Sequence, residues 1–284
     1  MSATRDFRNR RFWKSFATHL FSALGALAAV LTIISVFFIN ALSKVGWWLF
    51  LLVGAVAFLY AIKRSYPRPI KQRYSMPDTT IRLVTGDLFS QNTSLVVGMS
   101  DCFDVETPHI IRTDSVQGQL LHNVYKGDTG KLQSDLKTAL AAEVPIETNI
   151  AKDGNTDRYE CGTVAAIRHH RTYYYCVAYT KMDEHNKASS TIGILWDAME
   201  KLWREVRRCN NGEAVSVPII GLGQSGLSTV LPIQDAIRFL ILTFMFASRQ
   251  ERVCDELRIV VRPEDENRVN MLEVQDFLTS LKKS

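Results

Sequence analysis

The sequence predicts an α/β domain: a three-layer α/β/α arrangement on a mixed sheet, preceded by an N-terminal hairpin of two apolar helices. Three features carry that expectation. Strand-like and helix-like runs alternate from Thr80 to the C-terminus, the pattern of a layered α/β domain. A β-rich run, Val215 to Ile220, enters a glycine loop at Gly221, Gly223 and Gly226, and Pro232 then opens an apolar-periodic stretch from Ile233 to Phe246. Two long apolar runs, Leu20 to Ile39 and Val45 to Ile62, contain no charged residue.

About 20 apolar residues carry a helix across a bilayer, so the two runs are expected to span a membrane over about 17–41 and 45–62. They are joined only by Asn40 to Lys44. A cleaved signal peptide has a shorter apolar region and no second span, and a buried soluble helix carries a polar stripe that these lack. Arg5, Arg8, Arg10, Arg11 and Lys14 precede the first run, and Lys63, Arg64, Arg68, Lys71 and Arg73 follow the second; the connection holds only Lys44. The positive-inside rule puts both termini in the cytoplasm of a multi-pass inner-membrane protein. Small residues (Ser22, Gly25, Ala29; Gly54, Ala55, Ala57) permit close helix packing. The expected organisation is residues 1–64 as basic N-terminus and hairpin, 65–78 as a proline-containing linker, and 79–284 as a ligand-binding domain.

A charge of +5 over 284 residues, in clusters not interleaved with aromatics, argues against nucleic-acid binding. Five scattered cysteines without a CxxC pair read as free thiols rather than a zinc site. Within the domain, Thr80–Thr85 and Ser94–Gly98 read as strands, Ser115–Tyr125 and Lys131–Ala142 as helices, and Gly162–Arg168 with Tyr173–Tyr179 as a hairpin turning at His169, His170 and Arg171. Ser190–Arg208 reads as a long amphipathic helix, Glu256–Val261 as the last strand, and Pro263–Lys282 as a final helix.

Gly221 to Gly226 spells GxGxxG, but it lies too late in the chain for a dinucleotide fingerprint, with only one strand candidate after it. The surviving reading is phosphate binding: glycines let backbone approach a ligand, and N–H groups beside a helix start suit an anion. Asp87, in a Gly-Asp-Leu turn, reads either as a turn or cap acid or as an acceptor for an exocyclic amine such as that of adenine. Asp101, Asp104, Glu106, His109 and Asp114 sit in a long polar loop, where a metal or acid/base site is weighed against plain solvation and solvation is preferred. No catalytic elbow, HExxH or Walker lysine occurs, so no catalytic residue, metal or cofactor is assigned.

Taken together, Gly86-Asp87-Leu88, the apolar strand opening a long loop, Cys161-Gly-Thr-Val164 and Val217-Pro-Ile-Ile-Gly-Leu-Gly-Gln-Ser-Gly226 resemble a macro domain over about Thr79 to Ser284. The resemblance implies that Asp87 holds adenine, with Leu88 beside it among the ligand-binding residues. It also implies that Ser100, Asp101, Ser115, Gln117 and Gly118, with Gly221, Leu222, Gly223, Gln224, Ser225, Gly226 and Leu227, clamp the diphosphate and distal ribose of an ADP-ribose derivative. Hydrolytic macro domains carry Asn-Ala-Ala-Asn and a glycine triplet; here Val97-Gly98-Met99-Ser100-Asp101 and Asp114-Ser115-Val116-Gln117-Gly118 stand instead, which points to sensing rather than turnover.

Two spans fused to such a domain resemble the membrane effectors of the type II Thoeris antiphage system. That resemblance implies a TIR-domain partner making a signal such as histidine-linked ADP-ribose, homo-oligomerisation on binding, and disruption of the bilayer in abortive infection. The alternative is a membrane-anchored ADP-ribosyl hydrolase or NAD-derivative-processing enzyme, with Asp101 as the one substitute base.

Overall fold

A computed structural model describes residues 10–37, 48–65, 70–221, 223 and 226–282. The chain divides into two compact units, Met1–Arg68 and Pro69–Ser284.

In the first unit, α1 (Arg10–Phe37) and α2 (Trp48–Ser65) pack as an antiparallel pair. Phe16, near the start of α1, packs against Ala61 and Ile62 near the end of α2, and its ring meets Phe58 edge-on at 5.5 Å. Large apolar side chains face outward from this pair, among them Phe21, Ile33, Leu52 and Leu59, each more than 60% exposed. Among the described residues, however, no helix is long and apolar enough to cross a membrane. The expected transmembrane hairpin is therefore corrected to a helical pair. The uncharged runs behind that expectation end at Ile39 and begin at Val45, both outside the described residues, as are the basic N-terminus through residue 9 and the 38–47 connection.

The second unit is built on β1 (Ile70–Ser75), β2 (Asp78–Thr85), β3 (Ser94–Ser100), β4 (Val164–His169), β5 (Thr172–Met182), β6 (Ala188–Ser189), β7 (Val215–Pro218) and β8 (Glu256–Val261). The order is β1-β2-β8-β7-β3-β5-β4, with β6 beside β5. The five inner strands are parallel and the edges β1 and β4 antiparallel. Helices α3 (Val116–Asn123) and α4 (Thr129–Ala139) cover one face; α5 (Ile192–Cys209), α6 (Ile233–Gln250) and α7 (Met271–Ser280) cover the other. Alternation along the strands feeds both cores: Val96, Tyr175 and Val177 point to the α5–α7 side, Leu95, Val97, Cys176 and Ala178 to the α3–α4 side. This is the near-continuous apolar character of a parallel sheet covered on both faces. Trp203 of α5, fully buried, meets Phe244 of α6 edge-on at 5.4 Å and donates its indole N–H to Thr243 Oγ1 at 3.1 Å.

Two expectations change here. The 65–78 linker holds β1, which pairs with β2 from Ile70↔Leu83 to Ser75↔Asp78; residues 66–69 lie outside the description. Ile70 and Tyr74 are buried, and Tyr74 Oη donates to the Leu278 carbonyl at 2.8 Å. The intervening Lys71 and Arg73 reach Glu256 and Asp78, as polar residues on an edge strand do. The final helix is also shorter than the expected Pro263–Lys282: a 3₁₀ turn at Glu266–Arg268 precedes α7, whose start is fixed by Asn270, its side chain accepting from Glu273 N–H.

If β1 belongs to the domain, a fragment from Pro69 unfolds cooperatively. One from Thr79, which loses buried Tyr74 and uncovers the edge of β2, is destabilised by about 3 kcal/mol or more. Urea melts of the two compare them directly; equal midpoints would return β1 to the status of linker.

Candidate functional site

The site arises where two neighbouring strands part. β3 and β7 pair only at Ser94↔Val215 and Leu95↔Ser216; beyond those positions they diverge toward their carboxyl ends. Connections from β3 run over the α3–α4 face and the connection from β7 runs over the α6 face. A crevice at such a switch point is where open α/β sheets bind ligands. Here it is a cleft of about 490 Å³, lined by strand ends (Gly98 to Ser100, Tyr179 and Thr180, Pro218, Val260) and by the loops that follow them.

On one side stands the glycine loop. Gly221 has φ +94, a left-handed conformation open to glycine and strained for other residues. Its missing side chain would point at Leu227 and Leu231, 3.5 and 3.8 Å away. Among the described residues nothing lies within 4 Å of where a Gly223 side chain would begin, so the loop is open at that position. Gly226, φ +71, starts a 3₁₀ turn, and Leu227 is buried in the core behind it. Gly221 and Gly223 line the cleft; Gly226 and Leu227 support the loop from behind. Leu222, Gln224 and Ser225 lie outside the described residues.

Across the cleft, Ser115 caps α3: its Oγ accepts from Gly118 N–H at 3.0 Å and donates to the Arg112 carbonyl at 2.6 Å. Gln117 is buried and donates to the Asp104 carbonyl. Ser100, Ser115 and Gln117 all line the cleft, whereas Gly118 does not. A Cβ at Gly118 would stand 2.3 Å from the Arg112 carbonyl oxygen, so this glycine serves the packing of the 112–117 turn against its own helix.

The acidic loop divides: Glu106, His109 and Asp114 are exposed, as expected, whereas Asp101 and Asp104 are buried. Asp101 is 1% exposed and absent from the cleft lining. Its Oδ1 accepts from Met182 N–H at 2.9 Å, and its Oδ2 lies 3.2 Å from Arg158 Nε, a charge contact without hydrogen-bond alignment. Arg158 in turn donates to the Met182 carbonyl at 2.7 Å. The pair thus grips both backbone groups of Met182, at the end of β5. Burial raises the Asp101 carboxyl above the ordinary range, against the lowering pull of the Met182 N–H and Arg158. Asp104 is fully buried with Lys152, Oδ1 to Nζ 2.9 Å, and the same Oδ1 accepts from Asn155 N–H at 2.8 Å. Cys102 between them is held protonated, its thiol pushed up to about 12 by burial and then by the two carboxylates. Among the described residues no three His, Cys, Asp or Glu side chains gather to hold a metal ion.

Asp87 and Leu88 are not among the lining residues either. The exposed Asp87 carboxylate caps a 3₁₀ turn, accepting from Phe89 N–H at 3.2 Å and Ser90 Oγ at 2.8 Å, while Leu88 is core. In their place the structure brings in residues that sequence reasoning missed. Tyr179 is the extra residue of a bulge, since Met99 pairs with Ala178 but Ser100 with Thr180; bulges re-aim side chains beside sites. A Cβ on Gly98 would lie 2.4 Å from the Tyr179 ring, so that glycine is required for the ring to lie where it does. Three arginines also line the cleft, each beside an acid: Arg112 with Asp114 (2.8 and 2.5 Å), Arg268 with Asp265 (2.8 Å) and Arg262 with Glu264 (3.8 Å). All six side chains except that of Asp265 are half or more exposed. Exposed pairs of this kind are weak, so an incoming anion can compete for the guanidinium groups.

With this geometry in view, the comparisons with known proteins fall into line. The family model described as "Thoeris protein ThsA, Macro domain" matches residues 81–262. The chain belongs to the ThsA macro-domain family. Among characterised relatives, Thoeris protein ThsA of Bacillus amyloliquefaciens (strain Y2) is 21% identical over 204 residues, 69% of this chain and 67% of that protein. Solved structures of related shape include the Oceanobacillus iheyensis macrodomain with ADP, at 14% identity and TM-score 0.48, covering 76% of this chain and 99% of that one. The macrodomain of Mycobacterium tuberculosis DarG is 16% identical at TM-score 0.36, covering 62% and 96%.

The role of Asp101 as a clamp on Met182 is testable. Asp101→Ala strands a buried N–H and leaves Arg158 with Glu147 as its carboxylate partner, at a cost of about 3 kcal/mol. Asp101→Asn keeps an acceptor for Met182 and costs less. Urea unfolding with hydrogen exchange at the Met182 amide reads both; exchange unchanged in Asp101→Ala would refute the clamp.

Proposed function

We propose that this chain is an effector of a Thoeris antiphage system and that its cleft binds an ADP-ribose-related ligand. The observation that carries the reading is the glycine loop, open at Gly223, facing the Ser115-capped turn across parted parallel strands, in a chain of the ThsA macro-domain family. Backbone at Gly221 and Gly223 would face the diphosphate, and Arg112, Arg262 and Arg268 would exchange their carboxylates for its charge. The three lining arginines are balanced by Asp114, Glu264 and Asp265, so attraction depends on that exchange rather than on a standing positive field.

The signal we propose is a derivative of ADP-ribose such as histidine-linked ADP-ribose, made by a TIR-domain protein. Binding favours an assembling state by its differential affinity for that state, and the helical pair disrupts the inner membrane with both termini on the cytoplasmic side. Support for the lipid-facing role is the apolar outer surface of α1 and α2, where Phe21, Leu52 and Leu59 stand exposed; a patch of that kind calls for an apolar partner. Asp101, the one candidate base, is tied to Met182 and Arg158, which favours sensing over hydrolysis.

Gly223→Glu puts bulk and negative charge into open space without disturbing a packed neighbour. Like charge facing the diphosphate costs several kcal/mol, so ADP-ribose affinity falls by about 100-fold or more. The variant still folds and still fractionates with membranes. Calorimetric titration reads the affinity; binding as tight as in the parent chain would overturn the pocket assignment.

A further inference from the structure

We propose that the outer face of α6 is a seam on which a second copy of this chain packs, the two α6 helices lying antiparallel about a two-fold axis at Leu242.

α6 is apolar almost all round. Its inner side gives Ile233, Ile237, Leu240, Ile241 and Phe244 to the core. A helix laid on a sheet needs only that stripe and ordinarily carries polar residues opposite it. Here Phe239, Leu242 and Phe246 occupy the other side, Phe246 being 45% exposed and the other two half-buried. Trp196 of α5, 39% exposed, joins them: its ring meets Phe239 edge-on at 5.7 Å and lies 6.1 Å from Phe246. Ile192, one turn before Trp196 and also exposed, extends the patch. Gathered aromatic side chains of this kind form the buried centres of protein interfaces.

The spacing says what covers them. Asp235, Phe239, Leu242, Phe246 and Arg249 follow one another at intervals of four, three, four and three residues, the repeat that keeps one seam of a helix facing a partner helix. The seam is also self-complementary. Leu242 is its centre, a phenylalanine stands on either side, and Asp235 and Arg249, both exposed, lie seven residues away in opposite directions. Turned over by a two-fold axis at Leu242, it meets its own copy with leucine on leucine, Phe239 beside Phe246, and Asp235 beside Arg249 at both ends. An isologous contact requires this match of a surface to itself.

Charge favours a second copy over a lipid surface. Arg238 is shared between Asp235 and Glu273, two carboxylates on one guanidinium, so the Asp235 end of the seam stays acidic. Anionic headgroups attract basic surfaces and gain nothing from that end, whereas Arg249 of a second copy does. None of the five seam residues lines the cleft. The pairing therefore needs no ligand, and its failure would leave the ADP-ribose reading where it stands.

Disulfide trapping in the full chain, without ligand, tests the register. Leu242→Cys puts a thiol on the axis beside its own symmetry mate, and oxidation is expected to give a covalent dimer well above that of the parent chain with its native cysteines. Phe246→Cys alone is not expected to do so, because two such positions lie about 12 Å apart along the helices, beyond disulfide reach; mixed with Phe239→Cys, it is. Charge reversal supplies a second readout. Asp235→Arg and Arg249→Asp each set like charges together at both ends and should weaken association about 10-fold or more in sedimentation, while the double reversal should restore it. Trapping of Leu242→Cys no better than the parent, or trapping of Phe246→Cys alone equal to that of Leu242→Cys, overturns the two-fold seam. A double reversal as weak as the singles overturns it too, since a lipid surface or an unrelated protein gains nothing when the two charges change places.

Discussion

Two rungs of hydrogen bonding decide the shape of this molecule's working end. β3 and β7 are joined at Ser94↔Val215 and Leu95↔Ser216 and nowhere further along, while every other inner pair of parallel strands runs longer. Had the ladder continued, Val96 to Ser100 and Val217 to Pro218 would have closed on each other and no cleft would exist. Because it stops, the loops leaving both strands must turn away from one another. One becomes the glycine loop, the other the turn that caps α3 at Ser115.

Separated strands need bracing, and buried ionic groups supply it. Asp101 with Arg158 fixes the end of β5 through Met182, and Asp104 with Lys152 and Asn155 fastens the 150–155 segment beneath the loop after β3. Such pairs add little to net stability over an apolar core, but losing one partner is costly. Their value here is geometric: they hold the loop after β3 and the β5–β6 hairpin at set positions while leaving the arginines at the rim free to trade partners. Rigid floor and adaptable rim are what an anion-binding cleft requires.

Much of this was legible in the residues. The glycine loop between a β-rich run and Pro232, the His169–Arg171 hairpin and the strand Glu256–Val261 follow from local pattern alone, and the structure has them in those places. β1 was not legible, because Ile70 and Tyr74 are separated by Lys71, Gln72 and Arg73, and a strand at an edge needs few apolar residues. The burial of Asp101 and Asp104 was hidden for a different reason. Their partners Arg158 and Lys152 are remote in sequence, so nothing near them distinguishes a clamp from a solvated loop. Tyr179 reaches the cleft through a bulge that shifts one register. Periodicity carries no trace of it.

The central claim is that a diphosphate crosses the parted ends of β3 and β7 between the glycine loop and the 112–117 turn. A crystal structure of the chain with ADP-ribose tests it most directly. The account predicts phosphate oxygens against backbone at Gly221 and Gly223, with Arg112, Arg262 or Arg268 drawn off its carboxylate toward them. Ligand density elsewhere on the domain, with the crevice between the two strands empty or closed, would contradict it.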